Sequence, residues 1–281
     1  MRQKVIWCAQ LASVMLCALG LKFYYSTATA NELRWILSPT TALVQLFSGR
    51  LFEFESYTGY MSGDRRFVIA VSCAGVNFLI TSFLMLALRS LWRRRFEEVG
   101  WSFLPLTAVL AYVATVIANA VRICIALEIQ RRAVEIDGLS ANQLHRLEGI
   151  VVYFGFLLLL FVFTERSQST NPRRLLLFPL VVYYATTLGL PLLNGSFHQG
   201  SPFWEHFVFV LALPLILFVP FVIVSGYRRQ RRKPKFSGTS CNVTPAAPVG
   251  MAALAWFPVA TILLTMRARC VHSISSFLST P

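Results

Sequence analysis

Residues 67–95 read FVIAVSCAGVNFLITSFLMLALRSLWRRR. From Phe67 to Leu88 the run carries no charge, and it closes on Arg89, Arg93, Arg94 and Arg95. About 20 apolar residues suffice for a helix to cross roughly 30 Å of hydrocarbon, and a basic cluster at one end marks the cytoplasmic side. The pattern predicts a membrane span over Phe67–Leu88 with its C-terminus inside. Within it, Ser72-Cys73-Ala74-Gly75-Val76-Asn77-Phe78 is a small and polar stripe. Such a stripe in a membrane helix faces protein or a water-filled cavity rather than lipid.

The rest of the chain has the same character. Its 281 residues are 56% hydrophobic and only 14% charged, with a mean hydropathy of +0.61, against about 25% charged residues in soluble domains. The net charge of +14 does not indicate nucleic acid, because the basic residues cluster in short loops between apolar runs, which is the positive-inside distribution. Further spans are expected over Val5–Tyr24, Ser102–Leu127, Leu147–Phe163, Leu175–Leu193 and Phe207–Val224. Arg166, Arg173 and Arg174 place one loop inside, and the cluster Arg228, Arg229, Arg231, Arg232 and Lys233 closes the sixth span inside. The expected fold is all-α: a polytopic transmembrane bundle of about six core spans, with Ser26–Arg66, Glu128–Leu144 and Asn194–His206 outside.

Three stretches leave alternatives open. Ala28-Thr29-Ala30 has the small residues of a signal-cleavage site, but the preceding run is long for a signal peptide, so an uncleaved first span is preferred. Trp35–Leu37 and Ala42–Phe47 suit a short interfacial or re-entrant helix, or an ordinary loop helix. Residues 226–281 are basic, then rich in Ser, Thr and Pro. In this tail Met251–Thr265, with Pro258 inside, either adds a seventh span or lies as a loosely ordered interfacial segment.

Three polar groups stand out: Cys73, Arg122 and His145. An arginine within a span costs roughly 2.5–3.5 kcal/mol on insertion scales, which makes it a functional candidate. At 1.5 Å per residue, Cys73 is expected about 9 Å below the outer end of its span and Arg122 about 8 Å below the outer end of the next. His145 opens the fourth. Three segments thus deliver a thiol, a cation and an imidazole to one outer layer. The thiolate is the nucleophile of cysteine chemistry, a guanidinium offers a rigid donor fork to an oxyanion, and imidazole shuttles the proton. Asn119 shares a helix face with Arg122 at i, i+3. Asn77 lies one turn from Cys73, and Gly75 allows close helix approach. Each residue alone has an ordinary reading: a packed cysteine, a snorkelling arginine, a capping histidine. The six cysteines show no metal spacing. His198, Glu205 and His206 share one outer loop without an HExxH motif, so no metal or other cofactor is expected.

These residues carry a resemblance. Cys73-Ala74-Gly75 after an outer loop, Asn119-Ala120-Val121-Arg122 late in the next span, and His145 opening the one after resemble the exosortase/archaeosortase family over residues 1–225, while 226–281 match nothing in it. Leu21–Phe54 is similar to the smaller exosortase K-type subfamily. The resemblance implies a membrane cysteine protease/transpeptidase in the bacterial plasma (inner) membrane, its active site facing the periplasm. It implies substrates that are secreted proteins bearing a C-terminal motif, a transmembrane segment and a basic tail, which are transferred to a surface acceptor. It casts Cys73 as nucleophile, Arg122 as transition-state stabiliser and His145 as acid/base. Two other classes compete: a transporter with Arg122 and Glu148 or Glu205 in its path, and a lipid-modifying acyltransferase in which Tyr57 and Tyr60 serve a head-group site.

Overall fold

The computed structural model describes residues 2–93, 100–132, 141–164, 172–189, 204, 207–216 and 219. The described residues are mostly helical. Helices α1 (Arg2–Thr27) and α2 (Arg34–Ser48) precede three short strands, β1 (Phe52–Glu55), β2 (Gly59–Ser62) and β3 (Val68–Ile69). A single 3-10 turn, Val71–Cys73, leads into α3 (Val76–Arg93). Then follow α4 (Phe103–Arg131), α5 (Ala141–Thr164) and α6 (Pro172–Tyr184), the last continued by a π-turn at Ala185–Gly189.

Among the described residues four segments are long and apolar enough to cross a membrane: Gln3–Thr27, Val71–Arg93, Phe103–Arg131 and Gln143–Thr164. The shortest has 22 residues, about 33 Å of helix at 1.5 Å per residue, enough for the hydrocarbon layer. The expected fifth and sixth spans coincide with shorter apolar helices, Leu177–Gly189 and Phe207–Ile216. Six expected spans thus become four helices of spanning length and two shorter ones among the described residues. Residues 226–281, with Met251–Thr265, and His198, Glu205 and His206 lie outside the described residues.

The centre is α3, whose residues from Val76 to Ala87 are buried apart from Asn77. It packs against α1, α4, α5 and α6, while α4 also receives α2 and α5. α1 lies at the edge, exposing Val5, Leu16, Leu19 and Phe23.

The segment between α1 and α3 departs most from expectation. The two apolar pieces around Pro39 form one 15-residue helix, α2, too short to span. Thr29 and Glu32 tie its approach: the Thr29 amide and hydroxyl both donate to Glu32 Oε2, at 2.7 and 2.8 Å. Gly49 ends it in the left-handed region at φ 69°, its N–H returning to Gln45 O, a conformation open to glycine. Pro39 has no N–H for the carbonyl one turn back, that of Trp35. The Tyr112 hydroxyl of α4 donates to that carbonyl instead, at 2.7 Å, and the Trp35 and Tyr112 rings stack at 5.8 Å.

The all-α expectation also omits a small antiparallel sheet of order β1-β2-β3. Phe52 pairs with Ser62, and Phe54 with Tyr60. Cross-strand aromatic contact of this kind stabilises a hairpin: the Phe54 and Tyr60 rings meet edge-on at 5.1 Å, and the Arg34 guanidinium covers Phe54 at 4.5 Å. The turn into β3 is held by Asp64, whose Oδ1 accepts from the Ser62 hydroxyl at 2.6 Å and the Arg66 amide at 3.3 Å.

Tyr112→Phe leaves the Trp35 carbonyl without its donor and should cost about 1 kcal/mol in thermal or denaturant unfolding in detergent. In a Pro39→Ala background, where the helical N–H returns, the same substitution should cost less.

Hydrogen bonds from the Ser62 hydroxyl and then the Arg66 amide hold the Asp64 carboxyl below the usual carboxylate range. A depressed carboxylate stabilises the fold above its unfolded value of about 3.9, and that contribution fades as pH falls through the lower folded value. Exchange protection of the Arg66 amide, corrected for intrinsic rate, should therefore fall below about pH 4 and lose this dependence in Asp64→Asn.

Candidate functional site

Cys73 does not sit inside a continuous span helix. β3 pairs with β2 through Tyr60↔Ile69 and Met61↔Val68, so the chain is still extended at Ile69. Ala70 remains extended, and Val71–Cys73 then makes a 3-10 turn. The Cys73 amide bonds Ala70 O at 2.8 Å, and the Ala74 amide bonds Val71 O at 3.0 Å. Regular helix starts only at Val76. The expected depth of about six helical residues is corrected: Cys73 lies at the mouth of α3, partly exposed.

Gly75 is the pivot of this mouth. Its φ of +71° is in the left-handed region, and a Cβ there would lie 3.2 Å from Asn119 Cγ. Both the backbone and the close passage of α4 therefore require glycine. Its carbonyl accepts the first amides of α3, from Phe78 at 2.9 Å and Leu79 at 3.1 Å. Two side chains from other helices grip the turn. Asn119 Nδ2 of α4 donates to the Cys73 carbonyl, and the Tyr25 hydroxyl of α1 reaches Val71 O at 3.4 Å.

From Asn119 a chain of polar contacts runs through α4 and α5. Asn119 Oδ1 accepts from the Tyr153 hydroxyl at 2.8 Å. The Tyr153 oxygen accepts from Arg122 Nη1 at 3.0 Å. Arg122 Nη2 meets His145 Nε2 at 2.7 Å, and His145 Nδ1 lies 3.5 Å from Glu148 Oε2. The Phe78 ring of α3 stacks on Tyr153 at 5.0 Å. Gly149 lies directly against the guanidinium, where a Cβ would be in ordinary contact at 3.4 Å from Arg122 Nε.

Asn119, Arg122 and Glu148 are buried, whereas the His145 side chain is half exposed. Arg122 Nε and Glu148 Oε1 are buried without a hydrogen-bond partner. Unpaired buried polar atoms are costly and cluster where function needs them.

The structure thus joins Arg122 directly to His145, and Asn119 to Cys73 and, through Tyr153, to Arg122. Asn77 is not part of this chain. Its Oδ1 accepts from Lys22 Nζ of α1 at 2.9 Å, so it fastens α1 to α3 instead. Tyr57 and Tyr60 lie in the hairpin, Tyr57 fully exposed and Tyr60 buried. Among the described residues no three His, Cys, Asp or Glu side chains gather as a metal site.

Two members of the chain were not singled out for the thiol chemistry, Tyr153 and Glu148. The signal for them was present. His145, Gly149 and Tyr153 recur at i, i+4 and i+8, with Glu148 at i+3, so one face of an apolar helix carries four non-lipid positions.

The described residues form an apolar helical fold with four helices of membrane-spanning length and a polar cluster at the end where α3 begins. No protein-family model, no curated protein and no solved structure matches this chain.

Tyr153→Phe keeps the stack on Phe78 but strands Asn119 Oδ1 and one Arg122 donor. It should destabilise the protein by about 1–3 kcal/mol. It should also speed alkylation of Cys73 by a membrane-impermeant maleimide, because Asn119 loses the partner that holds it on the Cys73 carbonyl.

Proposed function

We propose that the protein is an integral membrane cysteine protease/transpeptidase, acting on secreted proteins that carry a C-terminal motif, a transmembrane segment and a basic tail. One observation carries this reading: a partly exposed thiol, a buried guanidinium and an imidazole from three helical segments lie at one end of the bundle, with Asn119 and Tyr153 linking them. The resemblance of these residues to the exosortase/archaeosortase pattern supports it. The charge pattern of the loops supports a site on the outer side of the bacterial plasma membrane.

The chemistry runs as follows. Cys73 Sγ attacks the carbonyl carbon of the scissile peptide and a C–S bond forms. The carbonyl electrons move to oxygen, and an Arg122 donor stabilises that oxyanion. His145 Nε2 takes the thiol proton and delivers it to the departing amine as the C–N bond breaks. The resulting thioester is released by the nucleophilic group of an acceptor, giving transpeptidation, or by water, giving hydrolysis. In either case His145 accepts the incoming nucleophile's proton and returns it to the thiolate.

The resting contact between Arg122 Nη2 and His145 Nε2 occupies the lone pair that this reaction uses. Arg122 has donors and no acceptor. A substrate carbonyl that draws Nη2 away therefore frees the base at the moment the oxyanion site fills, while Nη1 stays on Tyr153. A buried Arg122 beside a buried Glu148 also suits a transport path, and that reading takes first place if the thiol proves dispensable.

The test is processing of a tagged secreted protein with such a C-terminal signal, encoded in the same genome, followed by gel shift with protein levels checked. Cys73→Ala should abolish processing, and Cys73→Ser should lose most of it. Arg122→Lys keeps charge but not the fork and should slow processing by about 10²–10³. His145→Ala should permit at most slow acylation. Normal processing by Cys73→Ala would overturn the nucleophile assignment.

A further inference from the structure

We propose that Glu148 is the positioning residue of this site: its buried carboxylate keeps the His145 proton on Nδ1 and so leaves the Nε2 lone pair to face Arg122 and the reaction. The role given to that lone pair rests on the function proposed above; the state of the ring does not.

His145 lies between two groups of opposite character. On one side Arg122 Nη2, 2.7 Å from Nε2, can only donate. On the other, Glu148 Oε2, 3.5 Å from Nδ1, is an acceptor as a carboxylate. A neutral ring fits both neighbours in one way: Nδ1 carries the hydrogen and Nε2 accepts. Free histidine prefers the other tautomer, with its proton on Nε2, so the protein has to supply the bias. Arg122 disfavours a proton on Nε2 without excluding it, and Glu148 adds the rest of the bias by giving the proton on Nδ1 a partner. Fixing a histidine's reactive nitrogen through the bond made by the other nitrogen is a general device of catalytic and metal sites.

Position supports the assignment. Glu148 follows His145 by three residues, so both lie on one face of α5. Its side chain is only 5% exposed while that of His145 is 50% exposed, so the carboxylate is a fixed element and the ring a reachable one. Arg122 and Glu148 are both buried and both reach the His145 ring, one at each nitrogen. The neighbouring turn that bears Cys73 is held by Asn119 and Tyr25.

The experiment is nitrogen NMR of the full-length protein with ¹⁵N-labelled histidine, in detergent micelles. The signal of His145 among the four histidines is assigned by its loss in His145→Ala. The parent protein should show a protonated Nδ1 and an unprotonated Nε2. Glu148→Gln keeps the shape but offers an amide that can donate or accept, so both tautomers should appear. Glu148→Asp should restore the Nδ1–H form in large part. In the processing assay Glu148→Gln should be slower by on the order of 10²–10⁴, the scale set by a wrong tautomer at a comparable base, and Glu148→Asp should recover much of the loss.

A parent spectrum with the proton on Nε2 would overturn the inference. So would an unchanged spectrum in Glu148→Gln, even if that variant melts lower, because Glu148 would then be a structural counter-ion only. Cys73→Ala should give the parent spectrum. The tautomer result therefore stands or falls apart from the nucleophile assignment, which the processing assay tests.

Discussion

A guanidinium buried among apolar helices dictates much of this structure. Arg122 is 9% exposed, and a cation in that position is costly unless its donors are met. Its Nη1 is met by Tyr153 and its Nη2 by His145, both on α5, while Nε is left without a partner. The contact between α4 and α5 at this end is therefore polar and directional.

The same cation reaches the thiol segment through two intermediaries. Tyr153 passes from Arg122 to Asn119, and Asn119 passes to the Cys73 carbonyl. Neither contact involves the sulfur. They hold the peptide group beside it, which fixes where the thiol side chain starts while leaving Sγ outside both contacts. Gly75 makes this arrangement sterically accessible, because α4 passes so close that a Cβ would meet Asn119.

The segment between α1 and α3 has an anchoring role. The hairpin hands its third strand directly to the 3-10 turn that bears Cys73. On the other side α1 holds the turn with Tyr25 and the start of α3 with Lys22. Cys73 is thus reached by an extended strand, a tight turn and three helices. Such convergence gives a reactive group a defined place without burying it.

The sequence by itself determined the apolar helical character, because run length and loop charge follow from the cost of placing polar groups in hydrocarbon. It also singled out Cys73, Arg122, His145, Asn119 and Gly75, since polar or small residues in apolar helices are few enough to stand out. Tertiary structure decided what local pattern does not encode. Pairing of β3 with β2 stopped the helix from starting at Phe67, because strand pairing is a contact between residues distant in sequence and is invisible to a hydropathy run. Asn77 shares the polar stripe with Cys73, yet it turns to Lys22, since helical spacing names a face and only packing names the neighbour. Tyr153 and Glu148 gained their places in the same way: their spacing on α5 was legible, but the partner that gives each its meaning, Asn119 or Arg122 on α4, is supplied by the fold alone.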